Sequence, residues 1–208
     1  MSDKQHQDSF VLTVAACKRL IARGIAHHPA VQDARRSGTL AVAKGTTNAY
    51  VAEELSGRRI HKPHYCTGVT TPPGSKFETK NKLPDLVIRE GEELEDLSAT
   101  DAVQDMGPGD VFVKGANALN YEKDQAAILI GHPTGGTIGA AVGTVIARRV
   151  RLLLPVGQEK SVPHDLYDLH NRVRAAEERG DGPALWPVSG EIFTELEALK
   201  LLFGVEAA

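Results

Sequence analysis

The strongest constraint on how this chain folds is a repeated order: a short apolar run, a polar turn containing glycine, then a helical pattern. Residues 39–43 (Thr-Leu-Ala-Val-Ala) read as a buried strand that runs into Lys44-Gly45-Thr46-Thr47, and residues 48–55 are helical in composition. Asp110-Val111-Phe112-Val113 is a second strand, ending in Lys114-Gly115-Ala116-Asn117. Residues 126–130 make a third, ending in Gly131-His132-Pro133-Thr134-Gly135-Gly136, with a helix over 137–149. Residues 151–155 form another strand, followed by Val156-Gly157-Gln158-Glu159-Lys160. Strands alternating with helices predict an α/β fold, a mainly parallel sheet with helices on both faces. Ligands of such sheets sit at the carboxyl ends of the strands, so these turns should open on one edge.

A helix over 10–23 stops at Gly24, and a second opens at His28-Pro29 and ends near Ser37-Gly38, since proline suits a first helical turn. Residues 62–70 read as a strand that meets the breaker Thr71-Pro72-Pro73-Gly74, and 75–82 as an exposed excursion. Leu86-Val87-Ile88 is a short strand, 90–96 an acidic solvated surface, and 100–104 a short helix. Gly139 and Gly143, four apart, are expected to let their helix pack closely. Residues 165–179 form a polar amphipathic helix, and Thr194-Glu195-Leu196-Glu197 is a capping box opening a last helix. The expected organisation is one domain over 1–208, with N-terminal helices in 1–38 and the sheet in 39–208.

Charge and composition exclude several classes. With 24 basic against 27 acidic residues and no basic run, the chain is a poor candidate for holding nucleic acid through its phosphates. Residues 1–8 are polar and carry no signal pattern, and no apolar stretch is long enough for a bilayer. A cytoplasmic protein with no membrane partner is expected. Cys17 lies within an apolar helical pattern as a buried thiol, while for Cys66 a reactive thiol stays open. The histidines lack metal-ligand spacing, so neither metal nor cofactor is expected. The 20 glycines belong to no repeat, which points to backbone turns that approach a ligand.

Each turn has its own chemistry. In Lys44, Gly45, Thr46, Thr47 and Asn48, backbone amides at a helix start join two hydroxyls and an ammonium to hold an anion, although a threonine there also serves as a cap. It is not a P-loop, for Gly-Lys-Ser/Thr is missing. Lys114, Gly115 and Asn117 can place a charge and an amide over the same cleft; the alternative is an ordinary turn with Asn117 on its own backbone. Gly131, His132, Thr134, Gly135, Gly136 and Thr137 form a glycine-rich turn long enough to wrap a phosphate, without a dinucleotide fingerprint. Glu159 and Lys160 read either as a carboxylate base with an anion clamp or as two exposed charges.

Together these turns resemble a known group. Lys44-Gly45-Thr46-Thr47 is similar to the Gly-Thr-Gly-Ser-Thr phosphate turn of ribose-5-phosphate isomerase A and glucosamine-6-phosphate deaminase. Gly68-Val69-Thr70-Thr71 is similar to the isomerase's next strand end. Residues 110–119 resemble the strand and Gly-Ala-Asp turn shared with methylthioribose-1-phosphate isomerase and the initiation factor 2B-like proteins, and 131–155 the glycine turn, helix and strand that follow. The resemblance, over 40–160, implies the superfamily that joins these proteins to the CoA transferases, with a Rossmann-like sheet. It also implies a small phosphorylated or otherwise anionic metabolite as partner, and a homo-oligomer stays open. Two departures stand out: Asn117 replaces the aspartate, and no acid lies in 137–145. The expected function is therefore binding of a small phosphorylated metabolite, as a sugar-phosphate isomerase. A non-catalytic sensor and an acyl-CoA-dependent transferase are the alternatives. Glu122, Asp124 and Glu159 are the candidate bases.

Overall fold

Alternate residues of the short strands point to opposite sides, and that alternation builds two cores around one sheet. In the computed structural model, which describes residues 9–67, 82–176 and 182–205, β1 (Thr39–Val42), β4 (Val111–Val113), β7 (Arg151–Pro155) and β9 (Glu191–Phe193) lie side by side and parallel. Beyond β1, β2 (Leu86–Arg89) and then β3 (Glu92–Glu93) are added antiparallel. The sheet order is β3-β2-β1-β4-β7-β9, so the sheet is mostly parallel, as expected, but mixed at the β2–β3 edge.

The antiparallel turn at β2 has a local cause. After β1 the chain passes through α3 (Asn48–Ser56) and a 3-10 turn (Lys62–Tyr65). Tyr65 brings it back to the carboxyl edge, where its carbonyl accepts from Gly45 N–H at 3.0 Å. Its hydroxyl donates to Val42 O at 2.6 Å and accepts from Leu86 N–H at 2.8 Å. β2 therefore starts at the edge where β1 ends and runs the other way. The strand expected over 62–70 is replaced, as far as Thr67, by this 3-10 turn; Gly68-Val69-Thr70-Thr71, the breaker and most of the excursion lie outside the described residues.

One face of the sheet buries Leu40, Val42, Val111, Val113 and Leu153 beneath α1 (Val14–His27), α2 (Pro29–Ser37), α3 and α7 (Glu195–Phe203). The other buries Ala41, Phe112, Leu152 and Leu154 beneath α4 (Ala99–Ala102), α5 (Gly136–Ala147) and a second, smaller sheet. Gly24 does not stop the first helix. It lies inside α1, where an added Cβ would come within 2.8 Å of Ala198 Cβ, so its bareness lets α7 approach. Of the two glycines in α5, Gly139 sits where a Cβ would meet Thr134 O at 2.6 Å, whereas Gly143 faces open space. α7 opens with the expected capping box of Thr194 and Glu197.

The second sheet was not foreseen. β5 (Ala118–Asn120), β6 (Gln125–Ile130) and β8 (Ala184–Val188) are antiparallel. Only residues 121–124 separate β5 from β6, with Asp124 at φ 51°. So short a link permits a hairpin and no crossover. The run at 126–130 is thus a strand, but it belongs to this small sheet and not to the main one. α6 (Leu166–Ala175) covers it. Among the described residues no helix is long and apolar enough to cross a membrane.

Candidate functional site

Four parallel strands deliver their outgoing turns to one edge, and hydrogen bonds tie those turns together. At the end of β1, Lys44 N–H donates to Asp85 Oδ1 at 3.0 Å, and Asp85 Oδ2 accepts from Ala99 N–H at 2.9 Å. Asn48, fully buried in the first turn of α3, donates through Nδ2 to Ala43 O at 2.7 Å and Val113 O at 3.2 Å. It thereby clamps the ends of β1 and β4. Gly115, just past β4, lies so near that a Cβ there would be 3.6 Å from Asn48 Oδ1. From the end of β7, Lys160 Nζ donates to Ala116 O at 2.8 Å. From the end of β9, Glu195 Oε2 accepts from Gln158 N–H at 3.0 Å. Lys18 of α1 reaches Thr46 Oγ1 at 3.4 Å.

The edge carries unspent polarity. Six buried side-chain nitrogen or oxygen atoms have no hydrogen-bond partner among the described residues, and four are here: Thr47 Oγ1, Asn48 Oδ1, Gln158 Nε2 and Glu195 Oε1. Buried polar groups in folded proteins are nearly always paired, and an orphan costs about 1–3 kcal/mol. A cluster of them beside lysines marks this edge as the candidate site.

The lysines are themselves perturbed. Burial, then the charge of Lys160, pulls Lys114 below the ordinary ammonium range, against the pull of Asp85. Burial does the same to Lys160, with the Glu159 and Glu195 carboxylates opposing and Lys18 reinforcing it. Cys17 of α1 lies against the same carboxylate; burial, then its interaction with Glu195, pushes the thiol up to about 11. Glu159, though exposed, folds its carboxylate back over Gly157, where a Cβ would fall 1.8 Å from Oε2.

The structure thus brings together Lys44, Gly45, Thr46, Thr47, Asn48, Lys114, Gly115, Glu159 and Lys160. The other candidates lie apart from this hydrogen-bonded edge. Glu122 and Asp124 are exposed in the β5–β6 hairpin. Asn117 accepts from Leu129 N–H at 3.0 Å through Oδ1, and its own N–H donates to Ala127 O at 2.8 Å. It ties the β4 turn to β6 rather than bonding its own backbone. Gly131, His132 and Thr134 are exposed in a turn that follows a strand of the second sheet, and His132 Nδ1 is 2.9 Å from Thr134 Oγ1. Gly135 and Gly136 take φ of 86° and 58°, a left-handed backbone that favours glycine, and Thr137 is in the first turn of α5.

Sequence reasoning missed Lys18, Asp85, Gln158 and Glu195. Glu195 had a signal: Thr194-Glu195 follows the short apolar pair Ile192-Phe193 and opens a helix, the same strand–turn–helix order as at Lys44. Lys18 had none, since nothing in a helical pattern says which loop its side chain will meet. Compared with protein-family models, curated proteins and solved structures, the chain gives no match in any of the three.

Proposed function

We propose that this protein binds a small phosphorylated metabolite bearing hydroxyl groups, a sugar phosphate by class, at the carboxyl edge of its mixed sheet. The observation that carries the reading is the mixture of orphaned donors and acceptors there. Gln158 Nε2 donates only, Asn48 Oδ1 and Glu195 Oε1 accept, and Thr47 Oγ1 does both. A bare phosphate satisfies donors and ammonium groups but offers the acceptors at most one or two hydroxyls, all on a single phosphorus. A ligand with an anionic end and hydroxyls satisfies all four. Lys44, Thr46, Thr47 and Lys160 would take the anionic end. This agrees with the resemblance to the sugar-phosphate isomerases and their Rossmann-like sheet, and Glu159 is the one candidate base at the edge, so the isomerase reading rests on it.

A second reading, a non-catalytic sensor of the same ligand class, is favoured by Asn117, whose side chain is engaged with β6 where the isomerases carry an acid. Calorimetric titration with a panel of sugar phosphates, followed by NMR of the same mixtures, tests both. Binding is expected for the wild type and should weaken roughly tenfold, or about 1.4 kcal/mol, in Lys44→Ala. Unaltered binding in that variant would remove the edge from the reading. Interconversion of the ligand supports the isomerase, and binding without it the sensor.

A further inference from the structure

Glu195 is the one buried carboxylate among the described residues, with 6% of its surface exposed. Burying a carboxylate is costly unless both oxygens find partners, and here only one does. Oε2 accepts from Gln158 N–H at 3.0 Å, whereas Oε1 has no hydrogen-bond partner among the described residues. The Cys17 thiol beside the carboxylate is at most a weak donor. The helix start does not need this side chain either, since Thr194 and Glu197 already cap α7. One oxygen anchored and the other bare, at an edge with three further orphaned atoms, is an arrangement that a group on a ligand completes.

A second carboxylate stands on the same turn. Glu159 Oε2 lies beside the position that a Cβ on Gly157 would take, and the Gln158 N–H, one residue on, holds Glu195 Oε2. Bond lengths between these points keep the two oxygens within about 9 Å of each other, so both can reach adjacent carbons of one ligand. Glu159 is exposed and Glu195 buried, and Gln158 Nε2, a buried donor with no acceptor among the described residues, belongs to the turn between them.

We propose that Glu195 is a catalytic carboxylate of this site, carrying the hydroxyl proton between the two oxygens of an aldose–ketose pair while Glu159 carries the proton between the carbons. This rests on the binding and isomerase readings above and adds the second proton carrier they lack. Glu159 takes the proton from C2; the C–H electron pair forms the C1–C2 double bond, and the carbonyl pair moves onto O1. Gln158 Nε2 donates a hydrogen bond to O1 as that charge develops. Glu195 Oε1 then takes the proton of the C2 hydroxyl and gives it to O1. The pair left on O2 closes the new carbonyl, and C1 takes the proton held by Glu159. Both carboxylates end as they began, and nothing but the sugar changes.

The probes are ribose 5-phosphate and glucose 6-phosphate, each with its 2-deoxy analogue, measured by calorimetry and by NMR in deuterium oxide. In the wild type each analogue should bind about tenfold more weakly than its parent, because Oε1 is left unpaired. Glu195→Gln should slow interconversion about a hundredfold, yet still exchange the C2 hydrogen with solvent. Glu159→Gln should lose both exchange and interconversion. A structural role for Glu195 would not uncouple the two. Exchange and interconversion kept together or lost together in Glu195→Gln overturn the assignment, as does equal binding of the 2-deoxy analogues by the wild type. If Glu195→Gln does not fold, that wild-type affinity ratio decides alone. Wild-type binding with neither exchange nor interconversion overturns the role of Glu195 and leaves the binding reading standing as a sensor. If neither parent sugar phosphate binds, the binding reading is overturned and the proton carrier falls with it.

Discussion

Replacing Asn48 by leucine separates what the edge needs to fold from what it needs to bind. Leucine has nearly the same shape, so packing around the first turn of α3 changes little. The two Nδ2 hydrogen bonds disappear, and their losses are unequal. Val113 O keeps the Ala43 N–H at 3.0 Å, so it still has a donor. Ala43 O loses its Asn48 donor and is left buried, a cost of about 1–3 kcal/mol, and the lost bond to Val113 O adds roughly 1 kcal/mol. Removing Oδ1, already an orphan, returns on the order of 1 kcal/mol. The net destabilisation is about 2 kcal/mol, which for 208 residues lowers Tm by roughly 4–8 °C. Denaturant titration and scanning calorimetry measure it. A saturating sugar phosphate, at about a hundred times Kd, stabilises the wild type by about 2.7 kcal/mol. The variant should gain clearly less from that ligand. Equal gains from the sugar phosphate, or an unchanged Tm without ligand, would refute the assignment of Asn48 as clamp and acceptor.

Two further outcomes concern the scaffold. Burial works against the charged form of Glu53, but Lys62, the Ile60 N–H and Arg19 outweigh it and hold the carboxyl at about 2. Because the folded value lies below the ordinary 4.5, its stabilisation is fully present above that pH and fades as pH falls toward 2. Glu53→Gln should therefore lose up to about 3 kcal/mol at neutral pH, with the difference from wild type shrinking in acid urea titrations; a pH-independent difference would point to shape instead of charge. Gly24→Ala sets a methyl 2.8 Å from both Ala198 Cβ and Phe193 Cε1 and 2.9 Å from the Ala198 Cα. Backbone must move, so a loss of roughly 1–3 kcal/mol is expected, and an unchanged denaturation midpoint would mean that α1 and α7 are not so closely packed in solution.

Legibility differed between element and arrangement. The strands at Thr39, Val111 and Arg151 and the helices at Asn48 and Gly136 were readable, because their apolar runs are bounded by glycine and proline and have the right period. Which sheet a strand joins was not readable. Ala126 to Ile130 looks like any buried strand, and only the brevity of the hairpin before it assigns it to the small sheet. The direction of β2 depends on Tyr65 returning to the edge through side-chain bonds that leave no periodic trace. The edge itself was half legible for the same reason. Lys44, Lys114 and Lys160 follow strands and stand out, whereas Lys18 and Asp85 are brought in by tertiary packing. The glycine-rich 131–136 run drew attention to a turn whose glycines serve its own left-handed backbone.

The clasp between Lys160 and the Ala116 carbonyl, and that between Glu195 and the Gln158 amide, have a consequence for the order of events during folding. Lys18 comes from the first helix and Glu195 from the start of the last, so the edge joins positions 177 residues apart, the difference of their numbers. Contacts of such separation form late, after shorter loops have closed. Until β9 docks, Lys160 at the top of β7 lacks one of the two carboxylates, Glu159 and Glu195, that offset its burial. A bound anion would stand in for that carboxylate and hold the half-built edge together. Ligand should therefore accelerate the final docking of the last strand and helix, and the metabolite would act as a folding partner before it acts as anything else.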